Sequence, residues 1–93
     1  MEMKRRMALN FDLNLYLLKK HYLSKQYTKA YGDIGRFLKK YEILHRQQSD
    51  YVSKNPILMT DLLSIVAQLA QKYFWLTLCA QVFDVTIVAE EYS

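Results

Sequence analysis

A change of hydrophobic pattern along the chain most constrains what it can fold into: a period of about 2, then about 3.6, then a short hairpin segment, then 3.6, then 2 again. At residues 7–13, Leu9, Phe11 and Leu13 alternate with Ala8, Asn10 and Asp12. One strand face is therefore apolar, and the other carries Asn10 and Asp12. Residues 24–41 switch to helical spacing, with Tyr27, Ala30, Tyr31, Ile34, Leu38 and Tyr41 as the buried stripe. Ser24 is the expected N-cap. Lys25, Lys29, Arg36 and Lys40 fall on a different, solvated stripe, and Gly32 and Gly35 weaken this helix while admitting close packing. Residues 43–47 and 50–53 read as two short strands joined at Gln48 and Ser49. Asn55 and Pro56 then read as N-cap and first position of a second helix, whose stripe is Leu58, Leu62, Ile65, Leu69 and Tyr73 and which ends near Phe74 or Trp75. Residues 82–88 return to period 2, with Phe83, Val85 and Ile87 on one side and Val82, Asp84, Thr86 and Val88 on the other.

The resulting order, β-α-β-β-α-β, predicts a ferredoxin-like α+β domain: an antiparallel sheet with two helices on one face. Residues 14–23, which include Leu15, Leu17 and Leu18, admit either a short helical turn or a loop. The expected organisation is a basic extension at residues 1–6 and a single domain at 7–93. A chain of 93 residues makes one domain with a modest core, a size often helped by oligomerisation. Its 52% hydrophobic content excludes disorder.

No stretch is long and apolar enough to span a membrane, and the N-terminus does not read as a signal peptide. The lone Cys79 has no internal disulfide partner, which suits a reducing, cytoplasmic location. Charge is unevenly placed. Residues 1–46 hold 11 Lys/Arg against 4 Asp/Glu, a net of +7, while residues 47–93 hold 2 against 5, a net of −3. Clustered positive charge suits a polyanion such as nucleic acid, and equally describes a solvated helix face with a basic tail.

In the expected fold the last strand runs antiparallel beside the first. That places Asp12, at the end of one, near Asp84, near the start of the other, on the open sheet face. Two adjacent carboxylates raise one pKa or attract a divalent cation, and either arrangement serves phosphodiester chemistry. The same positions are also explained as two separately solvated polar residues. Histidine is the usual residue of acid–base catalysis near neutral pH, but His21 and His45 form no recognisable pair. One cysteine and two distant histidines make no zinc set. Tyr16, Tyr22 and Tyr51 either pack or stack on unpaired bases.

The segment Met7-Ala-Leu-Asn-Phe-Asp-Leu13 resembles the opening strand of the virulence-associated protein D (VapD) family. Tyr22-Leu-Ser-Lys-Gln-Tyr-Thr-Lys-Ala-Tyr-Gly-Asp-Ile34 is similar to that family's first-helix signature, and Gln47-Gln-Ser-Asp-Tyr51 to its hairpin. Trp75 resembles the tryptophan after its second helix. The likeness spans about residues 7–88.

The resemblance implies a ferredoxin-like homodimer related to small CRISPR adaptation nuclease-like proteins, some of whose relatives are endoribonucleases and toxins of toxin–antitoxin pairs. It makes Asp12 the central catalytic candidate, with Ser49 and Asp84 beside it. Lys19, Lys20, Arg46 and Tyr51 are the candidate RNA contacts. Asp12 is also the candidate ligand of a divalent metal such as magnesium. Expected partners are RNA, a second copy and an antitoxin protein. The chain departs from the pattern at Gln48, which replaces the hairpin glycine, and at Val82, where the family's last-strand acid falls; Asp84 lies two residues on, on the same face. The alternative reading is a catalytically inactive nucleic-acid-binding or assembly dimer of the same fold.

Overall fold

The computed structural model describes residues 3–22, 26, 29–47 and 49–88. Its elements are β1 (Met7–Leu13), α1 (Leu15–His21), α2 (Ala30–Lys39), β2 (Ile43–Gln47), β3 (Asp50–Ser53), α3 (Met59–Lys72), α4 (Phe74–Cys79) and β4 (Ala80–Ile87). The four strands form one sheet in the order β2-β3-β1-β4, every neighbouring pair antiparallel. This α+β arrangement is compatible with the expected ferredoxin-like fold. Among the described residues, no helix is long and apolar enough to cross a membrane.

The core lies between one sheet face and the helices. Leu9, Phe11 and Tyr51 from the sheet meet Ile34, Leu38, Leu62 and Leu69 in a single buried cluster. Burying such side chains stabilises the fold by roughly 1.5–3 kcal/mol each. Ala30, Ile34 and Leu38 occupy the predicted stripe of α2; Phe37 joins them, and Tyr41 stays largely exposed. Ser24 and Tyr27 lie outside the described residues, and Lys29 occupies the N-cap position of α2 without a side-chain cap bond.

Several boundaries differ from the sequence expectation: α2 ends at Lys39 rather than 41, and β4 begins at Ala80 rather than 82. The second helix begins at Met59 rather than Pro56, because Ile57 is held extended in a two-way bridge with Arg5 (3.0 and 2.8 Å). Asn55 does not cap it; its side-chain amide donates to Glu42 Oε2 at 2.8 Å. The helix then breaks at Tyr73, whose φ of −116° and ψ of 95° leave the helical region, and a short α4 turns Trp75, Leu76 and Cys79 inward. The ambiguous segment after β1 is helix α1, capped by Asn14, whose Oδ1 accepts from the Leu17 N–H at 3.0 Å. Two basic residues of the N-terminal extension are tied into the sheet: beyond the Arg5 bridge, Arg6 Nε donates to the Ser53 carbonyl (3.2 Å), and the Arg6 carbonyl accepts from Val88 (2.9 Å).

Candidate functional site

Residues that face each other across an antiparallel pair share a sheet face. In β1–β4, Asp12 faces Val82 and Asn10 faces Asp84; in β1–β3, Asn10 faces Asp50. The open face thus carries a row, Asp50–Asn10–Asp84, with Asp12 one pair further along. Asp12 and Asp84 are diagonal neighbours, at a typical separation of about 7–8 Å, and not a directly facing pair. All but the half-buried Asp50 are exposed. Asp50 is bound by Arg46, whose Nε and Nη2 both donate to Oδ2 at 2.6 Å. A polar line, Arg46–Asp50–Asn10–Asp84, therefore crosses the sheet from β2 to β4.

The strand end that presents Asp12 is fixed from both sides. The Phe11 N–H donates to the Ser49 carbonyl (3.0 Å), and the Asn14 N–H to the Cys79 carbonyl (2.8 Å). On its β3 side, past the end of that strand, the Leu13 N–H donates to the Tyr31 hydroxyl at 3.1 Å. That hydroxyl comes from α2, so the segment Ala30-Tyr-Gly-Asp-Ile34 works as a fastener. Tyr31 holds the end of β1 and, through its carbonyl, the Tyr51 hydroxyl (2.9 Å); Asp33 accepts from the Tyr22 hydroxyl and from Arg36. The Tyr22 ring stands edge-on to Trp75, centroids 5.2 Å apart. Burial and the Asp33 bond push the Tyr22 phenol up to about 12.

The structure brings Asp12, Ser49 and Asp84 to one end of the β1 neighbourhood, and the Asp50–Arg46 pair borders it. Lys19 and Lys20 are exposed in the last turn of α1, which starts two residues after β1 ends. His21 is half-buried at that helix end. Tyr51 is placed differently from a base-stacking residue: it is 0% exposed, its ring covered by His45 (4.6 Å, 20°), and its hydroxyl is used by Tyr31. Its place is structural. Gln48 lies outside the described residues. Among the described residues, no three His, Cys, Asp or Glu side chains converge to hold a metal ion. Asp12 offers a single carboxylate to a metal ion.

Two contributors escaped sequence reading. Asp50 was part of a hairpin, and only the β1–β3 register puts it opposite Asn10. Tyr31 read as core; nothing in its spacing shows that its hydroxyl ends a strand. No protein-family model matches this chain, and no curated protein is similar to it at a significant level.

Proposed function

We propose that this chain is an endoribonuclease of the virulence-associated protein D type, the toxin of a toxin–antitoxin pair, with Asp12 as the base at the cleaved bond. The observation that carries the reading is the exposed Asp12 carboxylate at a strand end held by three backbone hydrogen bonds. A carboxylate carried on a fixed stretch of backbone at an open face is suited to proton transfer. The 2′-hydroxyl next to the scissile phosphate attacks phosphorus and gives its proton to Asp12; the bond to the 5′-oxygen breaks, and that oxygen takes a proton from water. The aspartates repel phosphate, so cations must hold the strand: Arg46, bound to Asp50, and the exposed Lys19 and Lys20 of α1 are assigned that role. Asn10, between Asp50 and Asp84, supplies an amide donor to a phosphate oxygen.

The test is cleavage of a mixed-sequence RNA by the purified chain, with magnesium and with EDTA. Cleavage that survives EDTA supports the metal-free step; cleavage abolished by EDTA replaces it with a metal-assisted one; no cleavage in either lane removes the nuclease reading.

A second reading, an assembly dimer without chemistry, is favoured by β4. It is an edge strand with Val82, Phe83 and Ile87 41%, 40% and 58% exposed. An exposed apolar edge is a template for another chain, here a second copy. Sedimentation of the intact chain at micromolar concentration separates a dimer from a monomer.

A further inference from the structure

At the sheet edge opposite β4, α2 leans over the outer strand β2. Between them lies a cleft of about 360 Å³ lined by Gly32, Gly35, Arg36, Lys39, Leu44 and His45. The space exists because two glycines sit three apart on one face of the helix. A Cβ at Gly32 would stand 3.6 Å from Arg36 Nη1, and one at Gly35 would stand 3.4 Å from His45 Nδ1. Neither glycine has a positive φ, so backbone conformation does not require either. Glycine is the least favourable helix-interior residue after proline, and what these two provide is room.

The groups around that room are cationic or polar. Arg36 and Lys39 are three apart on α2, a spacing at which like charges repel. Asp33 binds Arg36 through Nη2 and is shared with the Tyr22 hydroxyl. The His45 ring lies flat on Tyr51, which fixes its Nδ1 edge beside α2. The cleft volume is at the small end of ligand pockets, right for one phosphate with its sugar.

We propose that this cleft is a phosphate-ester site, separate from the Asp12 patch. The Arg36 guanidinium fork grips the phosphate oxygens, Lys39 neutralises the charge, and the His45 ring edge supports the phosphate from the β2 side. The phosphate ester comes either from a free nucleoside monophosphate or from the backbone of an RNA strand. The proposal does not depend on RNA cleavage.

The test is calorimetric titration of the full chain with inorganic phosphate, with AMP and with a short single-stranded oligoribonucleotide. It is run on the wild type, on Arg36→Gln/Lys39→Gln and on Gly32→Val. Binding by the wild type is expected to weaken about tenfold or more in the double variant, whose two side chains are exposed and do not support the core. Gly32→Val is expected to lose binding while unfolding at the same or a higher temperature, because the valine fills the cleft and favours the helix. AMP binding tighter than the oligonucleotide's assigns a free nucleotide, and tighter oligonucleotide binding that both cleft variants lose assigns an RNA phosphate. No binding of any of the three at roughly millimolar concentration, or binding that both cleft variants leave unchanged, overturns the proposal.

Discussion

The two edges of the sheet meet solvent in opposite ways. At β2, α2 leans over the strand, His45 lies flat on a buried tyrosine, and glycines hold open a cleft with basic walls. At β4 no comparable cover exists among the described residues, and apolar side chains on both faces of the strand reach water. One edge presents a basic cleft and the other exposed apolar side chains. Phe11 makes the difference visible, because its ring touches an aromatic on each side. Tyr51 stands edge-on at 6.0 Å on the β3 side, and Phe83 is tilted at 5.1 Å on the β4 side. The contacts are alike, but Tyr51 is fully buried and Phe83 is 40% exposed. Burial, more than contact distance, decides what each ring contributes.

That contrast is sharpest under truncation. Tyr51→Ala is expected to cost about 3–5 kcal/mol in urea unfolding, since it empties a buried site and leaves His45 without its support. Phe83→Ala is expected to cost about 1 kcal/mol. Equal losses at the two positions would break the distinction.

Charge inserted at the edges is the next test. Val82→Lys or Ile87→Lys is expected to weaken self-association about tenfold in sedimentation, with stability changed by no more than about 0.5 kcal/mol. Leu44→Lys, at the β2 edge, should leave association unchanged. If only Leu44→Lys disperses the assembly, the copies meet at the other edge.

The smallest expected effect concerns pH. Burial and the Asp33 bond hold the Tyr22 phenol protonated up to about 12, and burial also raises Tyr73. The unfolded chain loses these protons near 10, so above that pH it binds fewer protons than the fold, and stability falls. The contribution is whole below pH 10 and fades toward 12. Tyr22→Phe should flatten this decline in thermal unfolding between pH 9 and 12; an unchanged slope would mean that Tyr22 does not contribute.

Much of the fold was legible because its strands are short and locally patterned. The alternation at residues 7–13 placed β1, and the hairpin strands fall at the predicted residues. Boundaries set by distant partners were not legible. Ile57 stays out of α3 because it pairs with Arg5, 52 residues earlier, and Asn55 reaches Glu42 rather than capping. The short α4 has too few residues for a helical period to register. At the candidate site, period 2 put Asp12 on the polar face. Which acid it meets depends on β1–β4 register, and that register sets Val82 opposite and Asp84 diagonal. Gly32, Gly35 and Arg36 were read singly as packing and solvated positions. Their spacing of three to four, together with Lys39, was the signal for a cleft, and it needed β2 to complete it.

The most direct test of the central claim is the single-turnover cleavage rate of one RNA by the wild type and by Asp12→Asn, purified identically and shown by circular dichroism to be equally folded. Loss of a positioned base predicts a rate lower by roughly 10²-fold or more in Asp12→Asn. Equal rates in the two proteins would contradict a catalytic role for Asp12.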